Sequence, residues 1–185
     1  MDRVMNWLQT NEQKVLMWAN RRRVHKGMGR WMDRWLSAVT HMGGATFTLA
    51  SAILCVIFAP NPWHTAGWQC AAAVAASHIP VAVIKRKYRR LRPHQAIPHV
   101  QTGRKPLCDS SFPSGHTTAI FAWLTPWLIV DTALLPALLP MAIVLGVSVA
   151  WSRMYLGLHY PSDVAAGALL GSLTSLAVSA FWSLS

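Results

Sequence analysis

Residues 41–59, 66–84, 132–151 and 164–182 contain no Asp, Glu, Lys or Arg. Each run approaches the roughly 20 residues that an α-helix needs to cross the hydrocarbon core of a bilayer. A fifth run, 114–130, is slightly shorter and is bounded by Ser114 and Asp131. Inside lipid no water is present to satisfy backbone N–H and C=O groups, so a spanning segment must bond them within itself, as a helix does. The runs therefore predict an all-α fold, a polytopic membrane helical bundle of about five transmembrane helices. Composition agrees: the chain is 53% hydrophobic and 12% charged, against about 25% charged in ordinary soluble domains.

The first forty residues follow a different rule. Trp7, Leu8, Val15, Leu16, Met17, Trp18, Trp31 and Trp35 alternate with Arg21, Arg22, Arg23, Lys26, Arg30 and Arg34. No apolar run there is long enough to span. Apolar positions three and four apart, mixed with Trp and Arg, predict amphipathic helices lying in the headgroup layer. A helical arm packed on the bundle is the alternative. No h-region follows the basic start, so a secretory signal is not expected. The chain thus divides into an interfacial segment, 1–40, and a membrane-embedded bundle, 41–185.

Five spans put the N-terminal region, the 85–113 loop and the 152–163 loop on one face. All 17 Lys and Arg lie there. By the positive-inside rule that face would be cytoplasmic.

The same face collects the residues with chemical potential. Lys85, Arg92, Ser114, Gly115, His116, Arg153, His159 and Asp163 fall in three segments. Three strong cations around two imidazoles and one carboxylate match the needs of phosphate ester cleavage without a metal. The cations neutralise phosphoryl oxygens, one imidazole attacks phosphorus and the other protonates the departing oxygen. A metal site would instead be rich in carboxylates, so no cofactor is expected. His41, His64, His78, His94 and His99 are assigned no chemistry, and Arg86, Lys87, Arg89 and Arg90 read as a solvated patch facing anionic lipid.

Lys85-x6-Arg92-Pro93, Pro113-Ser114-Gly115-His116 and Ser152-Arg153-x5-His159-x3-Asp163 resemble the three-part signature of the type 2 phosphatidic acid phosphatase family, whose core is related to vanadium-dependent haloperoxidases and soluble acid phosphatases. The segments match in order from Lys85 to about Gly171, roughly half the chain. The resemblance implies that His159 is the nucleophile of a phosphohistidine intermediate and that Asp163 fixes its tautomer. It makes His116 the general acid, while Lys85, Arg92, Arg153, Ser114 and Gly115 bind the phosphate. It also implies a lipid phosphate substrate held in the bilayer, such as undecaprenyl diphosphate, phosphatidylglycerol phosphate or phosphatidic acid. It places the site on the extracytoplasmic face, against the charge distribution.

Other readings stay open. A lipid-phosphate carrier could use the same cations without hydrolysis, though binding alone does not need a paired acid and nucleophile. Phosphotransfer to another acceptor and vanadate-based peroxidation are allowed by the related folds. Gly167-x3-Gly171 would let the last span pack tightly, within the bundle in preference to between protomers of a homo-oligomer. Pro126, Pro136 and Pro140 are expected to kink their spans. Cys55 and Cys70 read as small hydrophobes and Cys108 as a modifiable loop thiol. No nucleic-acid partner is expected.

Overall fold

The computed structural model describes residues 2–21, 28–102 and 107–184. Arg22, Arg23 and Lys26 of the N-terminal basic cluster lie outside the described residues. Among the described residues eight α-helices follow one another: α1 (Asp2–Arg21), α2 (Met28–Val39), α3 (Ala45–Phe58), α4 (Trp63–Lys87), α5 (Pro93–Ala96), α6 (Gly115–Ile129), α7 (Leu135–Tyr155) and α8 (Pro161–Leu184). A 3₁₀ turn, Thr40–Gly43, joins α2 to α3. The all-helical membrane bundle expected from the apolar runs is what the chain forms.

Helix α6 is the centre of the bundle, packed against α3, α4, α7 and α8. Thr117, Thr118, Ala119, Ile120 and Ala122 are accordingly buried. Large apolar side chains point the other way: Ile57, Phe58, Ile79, Val144, Leu169 and Phe181 are all exposed. Small or hydroxyl-bearing residues inside with large apolar ones outside is the pattern of helices packed in lipid, where Leu and Phe gain nothing by facing inward. It identifies a multi-pass membrane protein.

The five expected spans differ in length. Helices α4, α7 and α8, of 25, 21 and 24 residues, are long and apolar enough to cross. Helix α3 has only 14 residues and is reached from α2 through a bend of 59°, so that α2 and α3 together form one broken span or a re-entrant pair. Helix α6 has 15 residues, about 22 Å at 1.5 Å per residue. Being enclosed by other helices, α6 is not obliged to match the bilayer thickness itself.

Close helix approach explains the glycines of α8. A Cβ on Gly167 would sit 2.6 Å from the Ser114 carbonyl oxygen, and one on Gly171 would sit 2.3 Å from that of Thr118. The Gly-x3-Gly pair therefore packs within the bundle, between α6 and α8. Pro126 and Pro140 lie inside their helices, as does Pro80 in α4. Pro136 instead occupies the first turn of α7, where its missing N–H costs no hydrogen bond and no kink is required. The Cys70 thiol is buried and donates to the Trp123 carbonyl at 3.1 Å.

Helix α1 packs on the bundle along one face. Leu16 and Ala19 are buried beside Met154, Tyr160 and Val164, the half-exposed Trp18 ring meets that of Trp151 edge-on at 5.4 Å, and Trp7 is exposed. Buried Asn20 fixes the contact. Its Nδ2 donates to the Tyr155 and Gln101 carbonyls at 2.8 and 2.9 Å, and its Oδ1 accepts from the Gln101 N–H at 2.8 Å.

Candidate active site

Three chain crossings end at one level, and local backbone chemistry decides where each side chain points. Lys85 lies in the last turn of α4. The chain then runs extended and pairs with the segment before α6: the Ser111 N–H donates to the Arg90 carbonyl at 3.0 Å, and the Ser110 hydroxyl donates to that of Tyr88 at 2.6 Å. Arg92 precedes Pro93, the first residue of α5, and its N–H is held by Gln95 Oε1 at 3.0 Å. Ser114 caps α6, its hydroxyl 2.9 Å from Thr117 Oγ1, and its own N–H donates to the Asp163 carbonyl at 3.0 Å.

Helix α7 closes with a Schellman turn. Leu158 N–H donates to the Arg153 carbonyl at 3.0 Å and Gly157 N–H to that of Met154 at 2.9 Å. The turn needs a left-handed residue, and Gly157 supplies it with φ +67°. A Cβ there would lie 2.6 Å from Val100 Cγ1. The turn swings His159 back under Arg153, whose carbonyl it reaches through its own N–H at 3.2 Å. Helix α8 then starts at Pro161, and Asp163 reaches back so that its Oδ2 accepts the Tyr160 N–H at 2.8 Å. That is the reciprocal half of a capping box, made by an aspartate.

The His159 ring is 1% exposed. Its Nδ1 lies 2.7 Å from the Ser111 carbonyl. A carbonyl only accepts, so Nδ1 carries the proton and Nε2 holds the lone pair. Arg92 Nη1 lies 3.1 Å from that Nε2 and donates also to the Leu158 carbonyl at 2.9 Å. The nearer Asp163 oxygen is 3.6 Å from Nδ1, too far for a hydrogen bond but close enough to act on a ring charge. The tautomer is therefore held directly by Ser111, with Asp163 behind it. Burial pushes the His159 pKa down to about 4; the Asp163 carboxylate opposes this, while Arg153 and Arg92 push the same way. The imidazole is neutral and nucleophilic at ordinary pH.

The cations converge from both sides. Arg92 is almost fully buried, with Nε donating to the Asp109 carbonyl at 2.9 Å and Nη2 to its Oδ1 at 2.7 Å. Lys85 Nζ reaches the other oxygen of that carboxylate at 2.6 Å. Asp109 is partly buried, which alone would raise its pKa, but hydrogen bonds and charge from Lys85 and Arg92 win and hold it at about 2. Arg153 is 3% exposed; its Nη1 donates to Thr40 Oγ1 at 2.7 Å, and its buried Nε has no partner among the described residues. His116 stands in the first turn of α6, partly exposed and opposite Gly44, within electrostatic range of Arg153, His159, His41 and Lys85. A Cβ on Gly115 would meet nothing within 4 Å. A cavity of about 280 Å³ opens beside Lys85 and Asp109, lined also by Arg89, Arg90 and Leu91.

All eight residues expected at the site thus gather at one end of the bundle, although His116 is tied to the rest by position and charge instead of a direct bond. Several participants escaped the sequence reading. Asp109 bridges Lys85 and Arg92. The Ser111 carbonyl and Thr40 hydroxyl hold His159 and Arg153. Arg90 is not a free surface cation: its Nη1 bonds Asp163 Oδ1 and Ser162 Oγ, each at 2.7 Å, and its Nη2 pairs with Glu12. Only the Asp109 carboxylate, four residues before Pro113, could have been suspected from its place in the loop.

Fold and site together define a membrane helical bundle carrying a cation-lined histidine centre at one end. The family model described as the PAP2 superfamily matches residues 66–184, a stretch containing all three motif segments, and the chain belongs to that superfamily. YbjG of Escherichia coli K12, provisionally named an undecaprenyl-diphosphatase, is 40% identical over 74 residues, covering 40% of this chain and 36% of that protein. A decaprenylphosphoryl-5-phosphoribose phosphatase of Mycobacterium tuberculosis H37Rv is 41% identical over 111 residues, covering 57% and 55%. The chain therefore spans about half or less of the length of these relatives. Among solved structures, a transmembrane PAP2-type phosphatidylglycerolphosphate phosphatase from Bacillus subtilis superposes with a TM-score of 0.76 at 22% identity, covering 95% of this chain and 86% of that one. That likeness is one of fold.

Proposed function

We propose that this protein is a membrane lipid phosphatase that hydrolyses a polyprenyl diphosphate or a lipid phosphate monoester through a phosphohistidine at His159, without a metal. The observation that carries the reading is the buried Arg92 guanidinium 3.1 Å from a neutral His159 Nε2, with the buried Arg153 guanidinium in electrostatic range of the ring and its Nε without a partner among the described residues. A buried cation short of partners is costly unless an anion joins it, and a phosphoryl group is the anion that His159 could attack.

In the first step the Nε2 lone pair forms a P–N bond as the P–O bond to the leaving group breaks. Arg92 transfers its Nη1 hydrogen bond from Nε2 to a phosphoryl oxygen, and Lys85 and Arg153 take further oxygens. The leaving oxygen receives its proton from His116, whether it belongs to an alcohol or to a phosphate ester. The Nδ1 proton stays on the ring, bonded to Ser111, while Asp163 offsets the developing imidazolium charge. In the second step His116 takes a proton from water, the water oxygen attacks phosphorus, and the P–N bond breaks to restore His159. The α6 N-terminus, with Ser114 and the open side of Gly115, offers further backbone donors to the phosphate.

Relatives named for prenyl diphosphate, prenyl phosphoribose phosphate and phosphatidylglycerol phosphate substrates support the lipid class. The exposed Trp7, Trp18, Trp31 and Trp35 support an N-terminal segment seated in the headgroup layer. We place the site on the extracytoplasmic side by family resemblance; labelling of exposed Cys108 by an impermeant maleimide in intact cells tests this, and labelling confined to inverted vesicles contradicts it. The function itself is tested by phosphate release from undecaprenyl diphosphate, phosphatidylglycerol phosphate and phosphatidic acid in detergent with chelator present. Release that disappears in His159→Ala supports the reading, and strict dependence on added Mg²⁺ refutes it.

A further inference from the structure

Arg90 lies two residues before Arg92, in a run of cations that reads as a solvated patch, yet its surroundings are those of a built ion network. Its guanidinium covers the Tyr160 ring at 4.1 Å. One nitrogen bonds both Asp163 Oδ1 and Ser162 Oγ; the other pairs with Glu12. Glu12 in turn accepts the Ser162 hydroxyl at 2.5 Å. The Asp163 side chain is fully buried, and that of Glu12 is only 14% exposed.

This one residue reaches His159 by two routes. Through its side chain it holds Asp163, whose other oxygen bonds the Tyr160 N–H and stands 3.6 Å from the ring. Through its backbone carbonyl it accepts the Ser111 N–H at 3.0 Å, and the Ser111 carbonyl accepts His159 Nδ1–H at 2.7 Å. Both groups that set the ring's tautomer and charge thus depend on where Arg90 sits. Glu12 belongs to α1, outside the residues that match the family.

We propose that Arg90, clamped by Glu12 of α1, is a positioning residue that orients the Asp163 carboxylate and the Ser111 carbonyl about the His159 ring. This rests on the reading of His159 as nucleophile. Arginine is needed because its planar fork serves Asp163, Ser162 and Glu12 at once, which a lysine ammonium on a flexible stem cannot do in the same geometry. A carboxylate left without Arg90 would keep its charge but lose its direction.

The test is steady-state kinetics on the purified full chain in detergent with undecaprenyl diphosphate or phosphatidylglycerol phosphate, comparing Arg90→Gln, Arg90→Lys, Glu12→Gln, Arg86→Ala and His159→Ala. Misplacing a reacting group by near 1 Å can cost about a hundredfold in rate, and the expected result is a fall of about 10–100-fold in kcat for Arg90→Gln with KM unchanged. Arg90→Lys recovers part of it, Glu12→Gln shows a smaller loss of the same kind, and Arg86→Ala keeps the wild-type kcat. A rise in KM alone for Arg90→Gln, as for a lipid-attracting patch, overturns the proposal. If Arg90→Gln does not fold, unchanged kcat in Glu12→Gln overturns it instead. Turnover surviving in His159→Ala would show that the nucleophile assignment, and not the clamp, has failed.

Discussion

Gly167→Ala tests whether helix packing sets the distance between the two halves of the site. The added Cβ would stand 2.6 Å from the Ser114 carbonyl oxygen, where ordinary contact begins near 3.4 Å, so α6 and α8 must separate by 3.4 − 2.6 = 0.8 Å, or tilt to the same effect. Neither neighbour can yield as a side chain would. The contact is to backbone, and Thr117 Cβ and Thr118 Oγ1 crowd the same position at 3.2 Å. Ser114 carries the start of the His116 helix, and its N–H bonds the Asp163 carbonyl, so separation moves the proposed acid away from the proposed nucleophile. Overpacking of a well-filled site costs about 1–3 kcal/mol. A misplacement near 1 Å can lower a catalytic rate about a hundredfold. Expected in detergent are a lower thermal midpoint and a kcat reduced by about 10–100-fold with KM little changed. Wild-type kcat in a variant of normal stability would refute the idea that this glycine sets the catalytic register.

The fold of His159 as a neutral ring gives a sign to the pH dependence of stability. Its pKa is about 4 in the folded chain against an ordinary 6.5, so the unfolded chain binds the proton first. Stability from this residue is complete above pH 6.5, falls as pH drops from 6.5 towards 4, and levels below that. Thermal midpoints measured from pH 7.5 to 4 should fall less steeply in His159→Gln than in the wild type; parallel curves contradict the assignment. Asn20→Ala removes three hydrogen bonds, two part-buried to Gln101 and one buried to Tyr155, worth about 0.5–1.5 kcal/mol each, and should lower the thermal midpoint. An unchanged midpoint would mean that the clamp between α1 and the end of α7 adds no stability.

Much of this was readable in the residues because charge and spacing act locally. The uncharged runs located five apolar helices, and Pro161 followed by Asp163 marked the start of α8. The three motif segments named the residues that gather at the candidate site. What escaped depended on tertiary partners. Nothing local separates Arg90 from Arg86 or Arg89; its partner Glu12 is 78 residues away. The Ser111 carbonyl is a backbone group, and no residue type announces that it will hold a histidine. The short α6 reads as a span because its lack of charge reflects burial by other helices as well as lipid. Pro136 reads as a kink because the sequence does not show that α7 begins only one residue earlier.

The central claim is covalent chemistry at one atom of one residue. Rapid quench of the purified protein with a substrate labelled in the scissile phosphate, followed by peptide mapping under alkaline conditions that preserve phosphohistidine, tests it most directly. The account predicts label on His159 at Nε2, because Nδ1 carries the proton held by Ser111, and no label in His159→Ala. Label on Nδ1, on a serine, or on no residue while phosphate is still released would contradict it.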